Sequence, residues 1–189
     1  CGREELLVDN EKFVIQKRKE VDSACPVVVL CGSGGRGKTR LARELSDMPA
    51  IIENFDGGVI RVDLYGSGSD PKKSEEVMIE LYSQLSTGIP DKDVATALVK
   101  AIGARQKPRV IVIFDDAATS EQVTDVVRHL RGCLCVATTR EKLDGWRKKA
   151  KGSGAQPTRF EDVPGLTPGA SVKLLRSVAG EELDPCEDA

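Results

Sequence analysis

Residues 27–39, Val27-Val-Val-Leu-Cys-Gly-Ser-Gly-Gly-Arg-Gly-Lys-Thr39, constrain this chain more than any other stretch. An apolar run leads into a glycine-rich turn, and Leu41, Ala42 and Leu45 follow at helical spacing. The reading is strand, loop, helix. Gly32-x-x-x-x-Gly37-Lys38-Thr39 matches the phosphate-binding loop pattern without a gap. Gly32, Gly34, Gly35 and Gly37 let the backbone curl with its N–H groups inward, which makes an anion cradle. The helix that follows adds the positive end of its dipole. Lys38 has the reach for β- and γ-phosphates, and the Thr39 hydroxyl is suited to Mg²⁺. The plainer alternative is a glycine-rich strand–helix turn with an unrelated lysine. The apolar residues on either side of the loop weigh against it.

The remaining elements are read from periodicity. Residues 3–19 put Leu6, Leu7, Phe13 and Val14 on one helical face and end in Lys17-Arg18-Lys19, cations that suit a helix C-terminus. After the strand at 26–31 and the loop, a helix runs to about Asp47, with Pro49 stopping it. Asn54 to Gly58 reads as a turn and residues 58–65 as a second strand. Gly66-Ser-Gly-Ser-Asp-Pro71 is loop: it holds Gly-x-Gly but lacks the third glycine and the helix of a dinucleotide site. Val77, Leu81 and Leu85 mark a helix, and residues 91–104 form another. Val110-Ile-Val-Ile-Phe114 is an unbroken apolar run, hence a central strand covered on both faces, ending at Asp115-Asp116. Val123, Val126, Val127 and Leu130 mark the next helix. Residues 133–137 form a buried strand ending at Thr138-Thr139-Arg140. Arg147-Lys-Lys-Ala-Lys151 reads as a solvated loop, and residues 157–163 as a short last strand. Thr167-Pro168 opens a helix with Val172, Leu175 and Ala179 as its buried face, and the acidic tail after Gly180 is expected to fray. This alternation calls for a three-layer α/β fold, a parallel sheet with helices on both faces.

Composition bounds the function. At 189 residues, 40% hydrophobic and 31% charged, the chain is one globular domain of ordinary size. Its net charge of −2 offers no electrostatic case for nucleic acid or an anionic membrane, so neither is expected as a partner. No apolar run reaches the length of a membrane span, so a soluble domain is expected. The chain opens on Cys1, so a piece of a longer protein is expected. Cys25, Cys31, Cys133 and Cys135 lie in or beside strands, and none belongs to a Cys-x-x-Cys pair. They are expected reduced and buried, which suits the cytosol. His129 is the sole histidine, which rules out a His-based metal cluster; it is read as a helix-surface residue.

In parallel sheets ligands sit beyond the carboxyl ends of the strands. Three groups fall there: the loop at 32–39, Asp115-Asp116, and Arg140. Asp115 is placed as a Mg²⁺-binding carboxylate, since a carboxylate at such an edge is costly without a cation. Asp116 is a candidate to orient or polarise the attacking water. The alternative is that both aspartates cap the helix at 119–130. Arg140 is a candidate for the γ-phosphate, where a guanidinium stabilises developing charge; the alternative is a surface arginine at a helix start.

These motifs, in this order, resemble the NB-ARC family of STAND signalling ATPases, which includes plant disease-resistance proteins and the apoptosome adaptor. The carriers are Gly-Ser-Gly-Gly-Arg-Gly-Lys-Thr, Val-Ile-Val-Ile-Phe-Asp-Asp and Cys-Val-Ala-Thr-Thr-Arg. Cys1-Gly-Arg-Glu4 is similar to the family's opening, and residues 163–175 to its post-sheet helix. The resemblance implies the strand order 5-1-4-3-2. It implies ATP or ADP held by the backbone of Gly35, Arg36 and Gly37 with Lys38, and Mg²⁺ held by Thr39 and Asp115. Asp116 would assist water and Arg140 would sense the γ-phosphate. Arg40 and Leu41 would lie near the α-phosphate and ribose, and Arg3 near the base. Two departures are visible: Leu6 stands where relatives often have Glu, and Arg40 where many have a second Thr. The family's helical lid motifs would come after residue 175. Residues 1–165 are therefore expected to be the nucleotide-binding domain and 166–189 the start of a truncated helical subdomain.

The function expected is the core of a cytoplasmic ATPase switch in signal transduction or defence, held off by ADP and on with ATP, with slow hydrolysis. Protein partners would act through flanking domains, with self-oligomerisation in the ATP state. The rivals are another P-loop phosphotransferase or kinase, and a nucleotide-binding scaffold without turnover.

Overall fold

A computed structural model describes residues 3–21, 23–88, 90, 93–141, 146–147, 156–165, 168–169, 171–172 and 176. The elements run α1 (Glu4–Glu20), β1 (Val27–Cys31), α2 (Lys38–Ser46), α3 (Pro49–Asn54), β2 (Val59–Asp63), α4 (Ser74–Leu85), α5 (Val94–Gly103), β3 (Ile111–Ala117), α6 (Ser120–Val127), β4 (Leu134–Thr139) and β5 (Thr158–Asp162). The five strands form one parallel sheet in the order β2-β3-β4-β1-β5, the expected 5-1-4-3-2 read from the other edge.

The residue pattern explains the layers. Successive strand residues point to opposite faces, so a strand that is apolar throughout must be covered twice. Val28 and Leu30 of β1, Ile111 and Ile113 of β3, and Leu134 and Val136 of β4 pack against Val14 of α1, Leu41 and Leu45 of α2 and Ile51 of α3. The alternate residues Val27, Val29, Val112, Phe114, Cys135 and Ala137 pack against Val77 and Leu81 of α4, Leu98 of α5 and Val123 and Val126 of α6. Each Val, Leu, Ile or Phe among them, fully buried, contributes about 1.5–3 kcal/mol. At the edge, β2 alternates, with Ile60 and Val62 buried and Arg61 on the other face.

The structure differs from the sequence reading in several places. Pro49 does start an element as well as stop one: its fixed φ suits the first turn of α3. The β3 strand does not end at the aspartates but runs to Ala117. From Phe114 to Ala117 it advances three residues while β4 advances two, which is a bulge. Neither aspartate is seen capping α6. There the Gln122 side chain accepts from the Ala118 and Thr119 N–H groups at 2.7 and 3.1 Å. Val172, expected on a buried face, is 45% exposed; Leu175, Ala179 and the Lys148–Lys151 part of the basic stretch lie outside the described residues. So does most of 166–189, where the domain boundary was expected. Cys25, Cys31, Cys133 and Cys135 are buried and free. Among the described residues, no helix is long and apolar enough to cross a membrane.

Candidate functional site

The end of β1 delivers the chain into the glycine loop. Gly35 and Gly37 adopt φ of 75° and 72°, a left-handed region that would strain a side chain. Helix α2 then starts at Lys38 with no side-chain cap, which leaves its first N–H groups for a ligand. Lys38 is 8% exposed. Its Nζ donates to the carbonyls of Gly32 at 2.7 Å and Ser33 at 2.9 Å, folding the ammonium onto its own loop. Burial, and then the nearby Arg140 guanidinium, push the Lys38 pKa below the usual lysine range, against Asp116 and Asp115.

The bulge in β3 aims the acidic residues. In a regular strand Asp115 and Asp116 would face opposite sides of the sheet. Asp116 takes a left-handed φ of 57°, and both carboxylates line the same cleft. Asp115 is 4% exposed. Its Oδ1 accepts from Thr39 Oγ1 at 2.8 Å and Thr138 Oγ1 at 2.6 Å, and its Oδ2 pairs with Arg61. A buried carboxylate needs such partners, because an uncompensated one would cost several kcal/mol. The Asp116 N–H donates to Thr138 Oγ1 at 2.9 Å. Its carboxylate accepts from the Ser67 N–H at 2.8 Å and from the Ser67 hydroxyl, and lies 3.5 Å from Arg140 Nε. Burial alone would raise the Asp116 pKa. The Ser67 hydrogen bonds, Arg140 and Lys38 outweigh it and hold the carboxyl below the usual range.

These groups meet in one open cleft of about 590 Å³. Gly34, Gly35, Gly37, Lys38, Thr39, Asp115, Asp116 and Arg140 line it, as does the segment holding Asp63, Tyr65, Ser67 and Gly68. Arg140 lies against Gly34, with one guanidinium nitrogen 3.4 Å from where a Cβ would stand. Five candidates lie outside the wall. Gly32 contributes its carbonyl to Lys38. The Arg36 guanidinium turns to the Val163 carbonyl at 2.9 Å, 3.7 Å from Asp162. Arg40 is exposed and pairs with Glu44 at 2.7 Å, and Leu41 is core. Arg3 donates to the carbonyls of Arg36 and, at 3.2 Å, Pro164, tying the start of α1 to the loop and the end of β5.

Three residues that contact the two aspartates escaped the sequence reading. Thr138 sits in the Thr-Thr-Arg motif and bridges both aspartates. Ser67 belongs to the loop dismissed as a dinucleotide site, and Arg61 to the second strand. The alternation of β2 hinted at Arg61, but only the register with β3 sets it diagonal to Asp115. The oxygen pair of Thr39 and Asp115 suits Mg²⁺, which takes one or two carboxylates and completes its shell with phosphate and water. Among the described residues no cluster of three or more His, Cys, Asp or Glu offers a protein-only cage.

Comparison with known proteins gives the same architecture. The NB-ARC domain family matches residues 8–182. Regulatory protein AfsR of Streptomyces coelicolor is 29% identical over 160 residues, 82% of this chain and 15% of that protein, so the chain spans a small part of this relative's length. The Orc1 protein of Aeropyrum pernix, solved in complex with DNA, superposes with TM-score 0.63 at 15% identity, over 97% of this chain and 50% of that one. Drosophila ORC bound to GC-rich DNA and Cdc6 gives 0.53 at 9% identity, over 95% and 66%. Hsp104 of S. cerevisiae, in its casein complex, gives 0.52 at 17%, over 94% and 29%. At these identities the solved structures show the fold. They also correct one expectation: proteins of this fold are solved on DNA, so the net charge of −2 does not exclude nucleic acid. Net charge sums the whole surface, whereas phosphate contacts need only a local group of cations.

Proposed function

This chain belongs to the NB-ARC family, a P-loop NTPase nucleotide-binding domain, and we propose that it works as an ATP/ADP-operated switch in a cytoplasmic regulatory protein. One observation carries this reading: the loop amides, Lys38, Arg140 and the contact of Thr39 with Asp115 at 2.8 Å converge on one cleft. In that cleft the N–H groups of residues 35–37 and the start of α2 would take the β-phosphate. Lys38 would turn from its own carbonyls to the phosphates, and Thr39 and Asp115 would hold Mg²⁺, which supplies charge neutralisation on the phosphate oxygens. Arg140 would reach the γ-phosphate. That contact exists with ATP and not with ADP, so the two nucleotides bias two states of the domain. Similarity to a protein described as regulatory supports the switch role, and buried free cysteines support a reducing compartment.

Hydrolysis would be slow and would act as a timer, with Asp116 beside the attacking water. A scaffold without turnover has one point in its favour, since Ser67 already occupies an oxygen of Asp116. Calorimetry with Mg-ATP and Mg-ADP on the 189-residue chain tests the main reading. Binding that weakens at least about tenfold in Lys38→Ala supports it; wild-type protein that takes up neither nucleotide sinks it.

A further inference from the structure

Asp115 is a carboxylate with almost no access to water and with both oxygens already engaged. The two threonine hydroxyls share Oδ1, and the Arg61 guanidinium takes Oδ2. Arg61 comes from the edge strand β2, on the sheet face that carries Ile113 and Asp115. Its backbone is anchored in the strand, where its carbonyl accepts from Gln84 Nε2 at 3.3 Å. Its side chain is 38% exposed, so the guanidinium has a path to solvent. A full positive charge therefore sits on the carboxylate proposed to face the metal. The carboxylate end of this pair is buried and little screened, while the guanidinium end is partly screened by the solvent it reaches.

We infer that Arg61 competes with the divalent cation for Asp115 and so sets the Mg²⁺ concentration at which this domain holds nucleotide tightly. The inference rests on the nucleotide-switch reading above and names a regulator of that same site. Arg61 is a positioning residue. In the absence of metal it neutralises Asp115 and keeps the carboxylate in the cleft wall. When the ion arrives, the two cations repel across one carboxylate, and Arg61 swings toward water. Its loss makes the site easier for Mg²⁺ to enter, the opposite of what loss of a merely structural salt bridge does.

The test follows binding of a fluorescent ADP analogue to the 189-residue chain across a Mg²⁺ titration, for wild type, Arg61→Gln and Arg61→Lys. The Mg²⁺ midpoint is expected to fall about tenfold in Arg61→Gln and to stay within about twofold of wild type in Arg61→Lys, which keeps the charge. Arg61→Met, which keeps the apolar stem, carries the same expectation as Arg61→Gln should that variant fail to fold by circular dichroism. A midpoint that is unchanged or raised in the neutral variants, with the analogue still bound, overturns the inference and leaves the nucleotide reading standing. A Lys variant that shifts as far as the neutral ones overturns the charge argument. Wild-type protein that binds no analogue at any Mg²⁺ concentration removes the nucleotide reading and this inference with it.

Discussion

Ser67 and Asp116 are joined twice: the Ser67 N–H donates to Asp116 Oδ2 at 2.8 Å, and its hydroxyl donates to the same oxygen. This pair ties the loop after β2 to the end of β3. The other oxygen of Asp116 lies 3.5 Å from Arg140, so loop, aspartate and arginine form one chain along the cleft. Movement of Arg140 toward a phosphate would alter the load on Asp116 and, through it, on the loop.

Asp116→Ala is expected to lower ATP turnover about a hundredfold if Asp116 acts on water, with ADP affinity nearly unchanged. Phosphate release and calorimetry on the same preparations check both halves. Turnover equal to wild type would reassign Asp116 to holding the loop.

Asp115→Asn keeps the shape of the side chain and removes its charge. The gain in ADP affinity on adding Mg²⁺ should shrink at least about tenfold, while affinity measured in a metal chelator changes little. Equal loss with and without metal would mean that the residue shapes the cleft and does not serve the ion.

Gly66 lets the loop backbone lie directly on β3, where its N–H donates to the Asp116 carbonyl at 2.7 Å. A Cβ there would fall under 3.0 Å from backbone atoms of Asp116, Ala117 and Ala118, which cannot yield as a flexible side chain would. Gly66→Ala should destabilise the domain by about 1–3 kcal/mol in urea unfolding. Gly103→Ala, at the end of α5 with open space around it, should be neutral or stabilising by up to about 1 kcal/mol. Equal effects of the two would refute the steric argument.

Burial, and then the neighbouring Cys25, push the Cys133 thiol up to about 12. In the unfolded chain it ionises near 8.5. Between those values the unfolded state binds fewer protons, so stability falls as pH rises. The contribution is complete below about pH 8.5 and is lost toward pH 12. Relative to Cys133→Ala, wild type should lose about 1.4 kcal/mol per pH unit between pH 9 and 10.5 in urea midpoints. Parallel curves for the two proteins would contradict it.

The chain's own residues determined much of this. Unbroken apolar runs at 27–31, 110–114 and 133–137 can only be strands covered twice, because each must bury both faces. The glycine spacing before Lys38-Thr39 determined a phosphate cradle, since the needed backbone signs belong to glycine. What tertiary structure decided is how side chains from distant strands meet. The bulge at Asp115-Asp116 depends on how β3 aligns with β4, and no local pattern encodes it. Arg61 reaches Asp115 only because β2 pairs with β3 in one register. A slip of one residue would turn it to the opposite face, and that register is set by the packing of whole strands against the two layers of helices.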